Sequence, residues 1–257
     1  MTDELAGRTA LVTGAGNGLG RAIALALSGA GARVILAGRT AATLRETAEL
    51  AGRPGQTVVA TCDAASPESV DALRASLAGE DIGLLVNNAG VGGPVKAITD
   101  IEPAEWDEVF GANVRSIYLM CRAFLPPMYD RGGGDVINVA SVTGKRPLTR
   151  RTPYAASKMA VLGLTRTLAF EAGPRGVRVN SLSPGPCRGE RMQRNFTAEA
   201  AATGTSYEQA EEAFVSRAAL RRLVEEDEVA LAVLAMLRMP GLCGADIDLS
   251  AGMIAPA

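Results

Sequence analysis

Tyr154 and Lys158 stand in the run Tyr-Ala-Ala-Ser-Lys. On a helix this i, i+4 spacing stacks the two side chains on one face, one turn apart. A free tyrosine hydroxyl, with a pKa of about 10, is a poor acid–base group near neutrality. An ammonium beside it stabilises the phenolate and lowers that value, so the pair suits proton transfer at an alcohol or carbonyl oxygen. Ser141 closes the apolar run Val136-Ile137-Asn138-Val139. Its hydroxyl can donate to a carbonyl oxygen as negative charge develops there. Taken alone, Tyr-x-x-x-Lys describes an ordinary helix surface equally well. The position of Ser141 and a glycine-rich turn near the start of the chain favour chemistry.

Helix and strand signals place these groups. Thr152 is the expected cap of the helix that carries the pair, Pro153 suits its first position, and Gly173-Pro174 ends it. Val136 to Val139 reads as a buried parallel strand that delivers Ser141 at its end. Earlier, the strand Thr9-Ala10-Leu11-Val12 runs into Gly14-Ala15-Gly16-Asn17-Gly18-Leu19-Gly20, which opens an Ala/Leu-rich helix to about Ala30. Glycines in such a turn let the backbone approach a diphosphate, whose charge is favoured at a helix N-terminus. The competing reading is a tight turn without a ligand. A strand before the turn, a helix after it and a further strand from Arg33 to Ala37 argue for the ligand.

More strand-like runs follow at Thr57 to Thr61, Leu84 to Val86, Val177 to Leu182 and Ile247 to Leu249. Helical patterns separate most of them: Ala41 to Ala51, Pro67 to Leu77, Pro103 to about Met128, Pro153 to Ala172, and Glu225 to Leu237. This alternation implies parallel strands joined by right-handed crossovers. The expected fold class is therefore α/β: a doubly wound parallel sheet of about seven strands with helices on both faces. No linker or repeat divides residues 1–257, so one domain is expected. The stretch 186–223 is rich in Arg, Glu, Ala and Met and shows no strand pattern, which reads as a substrate lid within that domain.

Composition narrows the chemistry. The chain has 257 residues, a formal charge of −2 and no histidine. Without histidine there is no Ser-His-Asp triad, Cys-His dyad or His-ligated metal site, and no metal site is expected. The charge gives no reason to expect nucleic-acid or membrane surfaces as partners. No apolar run reaches the roughly 18 residues of a membrane span, and Met1-Thr2-Asp3-Glu4 does not begin a signal peptide. Cys62, Cys121, Cys187 and Cys243 are scattered without a Cys-x-x-Cys pair, which points to reduced thiols in the cytoplasm.

With these pieces placed, the chain resembles the short-chain dehydrogenase/reductase family in its common single-domain form. The marks are Thr13-Gly14-x-x-x-Gly18-x-Gly20, Asn87-Asn88-Ala89-Gly90, Asn113, Ser141, Tyr154-x-x-x-Lys158 and Pro184-Gly185. The resemblance covers essentially the whole chain. It implies a Rossmann fold, one nicotinamide dinucleotide and hydride transfer at an alcohol or carbonyl carbon. It also implies that Tyr154 is the acid–base, that Lys158 lowers its pKa and bonds the nicotinamide ribose, that Ser141 orients the carbonyl, and that Asn113 holds a water in the proton relay. Dinucleotide contacts are then expected from Gly14, Gly16, Asn17, Gly18, Leu19, Gly20, Arg39, Asp63, Ala64, Asn88, Ala89, Gly90, Tyr154, Lys158, Pro184, Gly185 and Cys187. Asn87 is expected to tie neighbouring strands.

Where the second strand ends, Ala37-Gly38-Arg39 lacks the acid that would bond adenosine ribose hydroxyls and repel a 2′-phosphate. Arg39 can pair with that phosphate, which favours NADP, or stack on adenine, which serves NAD equally. The family often has Val then Thr after Pro-Gly, whereas this chain reads Pro186-Cys187-Arg188-Gly189-Glu190-Arg191-Met192, so a carboxamide-binding hydroxyl is missing. Lys145, Arg146, Arg150, Arg151, Arg188, Arg191 and Arg194 cluster around the expected mouth. They suggest an anionic substrate or a carrier-bound 3-oxoacyl thioester, or else solvated charges paired with neighbouring acids. Candidate substrate contacts are Ser141, Arg146, Leu148, Arg150, Tyr154, Met192 and Phe196, with packing inside the lid as the alternative for the apolar ones.

The leading function is an NAD(P)-dependent dehydrogenase/reductase of a small-molecule secondary alcohol or ketone. A nucleotide-binding redox sensor and an epimerase acting through a transient ketone are the alternatives. Small residues on the helices from Pro103 and Pro153, together with the family resemblance, imply a homo-oligomer, a tetramer built on those helices and the C-terminal strand.

Overall fold

The computed structural model describes residues 3–53 and 55–253, apart from the side chains of Arg191 and Ala202. The expectations that rest on Met1, Thr2 and the Arg191 side chain lie outside the described residues. Seven strands form one sheet: β1 (Thr9–Thr13), β2 (Arg33–Gly38), β3 (Thr57–Thr61), β4 (Ile82–Asn87), β5 (Gly134–Val139), β6 (Val177–Pro184) and β7 (Asp246–Leu249). Their order is β3-β2-β1-β4-β5-β6-β7, and every neighbouring pair is parallel. The order reverses beside β1, which pairs with β2 through Leu11↔Ile35 and with β4 through Leu11↔Leu85. In an open parallel sheet, that switch point leaves a crevice at the carboxyl ends of the strands.

The central strands read as unbroken apolar runs because both of their faces are covered. Leu11, Ile35, Leu85 and Val136 point to one core. Ala10, Val12, Val34, Leu36, Leu84 and Val86 point to the other. The first core is closed by α3 (Pro67–Ser76), α5 (Ser116–Arg131) and α6 (Thr152–Ala172), and the second by α1 (Gly18–Gly29), α2 (Ala41–Ala51) and α9 (Glu226–Leu237). Each fully buried Leu or Ile contributes about 1.5–3 kcal/mol by leaving water. The two-sided burial is what holds the strand ends, and hence the crevice, in place.

Three local expectations change. The helix carrying Tyr154 and Lys158 starts with Thr152 as its first residue, and Arg151 (φ −128, ψ 30) takes the cap position without a side-chain bond. A proline near a helix start lacks only an N–H that would have no partner there, so a one-residue shift loses no hydrogen bond. The expected single helix from Pro103 to Met128 is interrupted. It runs as α4 (Pro103–Phe110), a π-turn at Gly111–Arg115, and α5, which extends to Arg131 through Pro126 and Pro127. The stretch 186–223 is not free of strand pairing: Cys187 bridges Val224 in parallel, with Arg188 N donating to Val224 O at 2.8 Å. The rest of it folds as α7 (Glu190–Thr203) and α8 (Tyr207–Val215).

Candidate active site

A cleft of about 710 Å³ opens at the switch point. Its floor is the turn from β1 into α1. Asn17 caps α1 without a side-chain hydrogen bond, so the helix end is not capped by its own cap residue, and an anion is favoured there. A Cβ on Gly20 would lie 2.1 Å from the Gly14 carbonyl oxygen. Only glycine there lets the helix start abut the strand end, and this explains why Gly20 packs beneath the cleft without bordering it. A shallow glycine cradle facing an uncapped helix N-terminus fits the diphosphate of a dinucleotide.

Apart from Gly20, every residue expected to hold a dinucleotide borders this cleft, from Gly14 through Arg39, Asp63 and Ala89 to Cys187. Asn88 has a further job. Its Nδ2 donates to Thr13 O at 3.0 Å, and the N–H groups of Asn88 and Ala89 donate to Thr13 Oγ1, each at 3.0 Å. These bonds lock the end of β4 to the end of β1. Asn87 Nδ2 donates to Asn138 Oδ1 at 2.9 Å, tying β4 to β5 as expected.

The candidate reacting groups come from β5, α6 and the loop between them. Ser141, Tyr154 and Lys158 all border the cleft. Lys158 is buried and donates to Val139 O at 2.8 Å, and its ammonium nitrogen lies 5.8 Å from the centre of the Tyr154 ring. Ser141 caps the short 3-10 turn Val142–Gly144, its oxygen accepting from Thr143 N at 3.2 Å. That turn lies directly on α6, since a Cβ on Gly144 would be 2.9 Å from the Lys158 carbonyl carbon. The serine-bearing loop and the lysine are therefore packed as one unit.

Asn113 lies in the π-turn, fully buried behind the cleft. Its side-chain oxygen accepts from Val91 N at 2.7 Å, and its amide donates to Val91 O and Ser157 Oγ, both at 3.0 Å. Both ends of its amide are thus already hydrogen-bonded within the protein.

The expected substrate contacts fare differently. Ser141 and Tyr154 border the cleft, but Arg146, Leu148, Arg150, Met192 and Phe196 do not. Met192 and Phe196 are buried with Ala210, Val215 and Leu223 in a small core between α7 and α8, and the Phe196 ring meets Tyr207 and Phe214 edge-on at 5.8 and 5.4 Å. They hold that unit together and form no cleft wall, because a two-helix unit needs an apolar interior of its own. Arg150 donates to Val95 O at 3.2 Å, and Leu148 is exposed.

Much of the basic cluster is committed as well. Lys145 pairs with Asp246 and Asp248, Arg188 with Glu211 and Glu225, and Arg151 donates to Gly92 O and Gly93 O. Among the cluster side chains described, Arg194 borders the cleft. Sequence reasoning missed Glu226, which also borders it. An acid at a helix start reads as an ordinary helix-end charge, so no signal set it apart.

The comparisons agree with this geometry. The short chain dehydrogenase family matches residues 8–201. The chain is 38% identical over 187 residues to human dehydrogenase/reductase SDR family member 4, covering 71% of this chain and 67% of that one. It is 39% identical over 184 residues to D-threitol dehydrogenase of Mycolicibacterium smegmatis, covering 70% of each. The structure of L-sorbose reductase from Gluconobacter frateurii, complexed with NADPH and L-sorbose, superposes with a TM-score of 0.93 at 26% identity over 100% of both chains. The chain thus belongs to the short-chain dehydrogenase family as an NAD(P)-dependent oxidoreductase of secondary alcohols and ketones.

Proposed function

We propose that Tyr154 is the acid–base of this oxidoreductase, with Lys158 as its electrostatic partner and Ser141 as the donor that orients the substrate oxygen. The observation that carries this reading is the convergence of all three on the cleft that the glycine-rich turn floors. When bound at Gly14 to Leu19, Asp63, Ala64 and Asn88 to Gly90, the dinucleotide supplies or accepts the hydride. Tyr154 gives a proton to the substrate oxygen on reduction and takes it on oxidation. Lys158, held by the Val139 carbonyl, stabilises the phenolate side of that exchange. Asn113 supports the wall behind them, and α7 with α8 serves as the lid. Tyr154→Phe keeps the ring and removes the proton, so kcat should fall at least a hundredfold while NADPH still binds. Near-normal turnover would overturn the assignment.

The substrate we favour is a small polyhydroxylated alcohol or its ketone. D-threitol and L-sorbose, named in two relatives, are uncharged compounds of this kind, and the commitments of Lys145 and Arg188 leave an anion fewer partners. NADP is the favoured dinucleotide because Arg39 is exposed at the cleft beyond the end of β2. A tetramer is supported by an apolar groove of about 590 Å³ between α5 and α6, lined by Tyr118, Leu125, Pro126, Gly163, Leu164 and Leu168. The scattered cysteines support a cytoplasmic setting.

A further inference from the structure

One charge on the cleft wall is unused by the chemistry above. Glu226 is the first residue of α9 and is partly buried. Its Oε1 lies 3.6 Å from where a Cβ on Gly18 would stand and 2.7 Å from the same point on Gly189. The carboxylate is thus wedged between the first residue of α1 and the cap residue of α7. Helix capping does not explain it. Glu225 and Glu228 form the capping box of α9, and they also bond Arg188 and Arg222. Among the described residues no hydrogen bond or ion pair reaches Glu226.

The charges around it come from three elements. Arg21 on α1 attracts it but is already held by Glu46, Thr47 and the Gly16 carbonyl. Glu190 on α7, and Glu225 and Asp227 beside it, repel it. Burial first, then Asp227, raises its pKa above the ordinary glutamate value, with Arg21 opposing and Glu190 and Glu225 adding.

We propose that Glu226 sets how tightly the dinucleotide is held: its carboxylate faces the diphosphate position over the glycine-rich turn, repels that anion, and is relieved by protonation. This rests on reading the turn as the diphosphate site. A like charge beside the first residue of α1 weakens binding, and the part that acts on retention speeds release of the spent dinucleotide. Protonation removes the repulsion, so affinity rises as pH falls towards the raised carboxyl pKa.

The test is a direct titration of wild type and Glu226→Gln with NADH and NADPH, read by nucleotide fluorescence. It spans about pH 5.5 to 8.5, above the ordinary glutamate range. NADH is the cleaner probe because it lacks the 2′-phosphate, which titrates near pH 6. Glu226→Gln should bind both nucleotides about three- to tenfold tighter at the alkaline end. That gap should narrow as pH falls, because only wild type gains affinity. Equal or weaker binding by Glu226→Gln at every pH, with wild type binding normally, overturns the inference alone. Failure of wild type to bind either nucleotide overturns the reading of the turn, and this inference with it.

Discussion

Arg39 is a single side chain at which the proposed NADP preference can be tested. It is exposed and borders the cleft just past β2. If its guanidinium holds a 2′-phosphate, Arg39→Ala should weaken NADP about ten- to a hundredfold and NAD far less, the size of one charge-assisted hydrogen bond. The measurement is kcat/KM with each cofactor. A parallel, smaller loss for both means stacking on adenine, and a wild type that prefers NAD removes the NADP assignment. Gly38→Asp is the converse change, although its Cβ would meet Leu44 at 3.3 Å and force that buried side chain to give slightly. Asn113 and Cys121 mark the other limit of residue-scale reasoning. Burial pushes the Cys121 thiol up to about 12, and the Asn113 amide is hydrogen-bonded to its neighbours at both ends. Neither side chain is equipped to move a proton near neutrality.

Between elements, the decisive joint is the loop from β5 to α6. It rests on α6 through Gly144 on one side and is tied to β7 by Lys145 on the other. Lys145 Nζ meets Asp246 at 2.5 Å, and the buried Asp246 carboxylate also accepts from Ser181 Oγ at 2.7 Å and Ser183 Oγ at 2.8 Å. Burial disfavours the lysine charge, but the Asp246 and Asp248 carboxylates outweigh it and its pKa is raised. A raised folded-state pKa stabilises fully below the ordinary lysine value and is lost only as pH climbs through the raised one. Stability from this joint should therefore be flat through neutrality. Lys145→Met leaves a buried carboxylate short of a partner and should cost about 1–3 kcal/mol, read as a lower Tm. It should also lower kcat more than nucleotide affinity, because Ser141 rides on the loop. Lys145→Arg should restore most of both, and a Lys145→Met protein with unchanged Tm and kcat would dismiss the joint.

At the scale of the whole molecule, the fold leaves a strand edge and a helix groove exposed. Tyr118 is 53% exposed beside the α5–α6 groove, and β7 is the outer strand of the sheet. A tetramer would cover both the groove and the strand edge. Tyr118→Arg should shift the assembly to a smaller species in light scattering while leaving the far-ultraviolet circular dichroism unchanged, since the side chain lies outside the core. Wild type running as a monomer at micromolar concentration would refute the tetramer.

The strand and helix sequence, the glycine turn and the Ser141–Tyr154–Lys158 set were legible in the chain because each depends on local rules. Fully covered strands must be apolar throughout, a tight strand–helix turn needs glycine, and i, i+4 spacing places two groups on one helix face. The roles of Met192, Phe196, Lys145, Arg188 and Glu226 were not legible. Whether an apolar side chain lines a cleft or fills a small two-helix core depends on which distant residues it meets, as Phe196 does with Tyr207 and Phe214. Whether a cation is available depends on acids far along the chain, such as Asp246 for Lys145. Likewise, only the packing of α9 against α1, with Gly189 beside it, brings an ordinary helix-start glutamate to the glycine turn. Short-range sterics thus settled the frame and the positions of its candidate reactive groups, while long-range contacts decided which charges face the cleft.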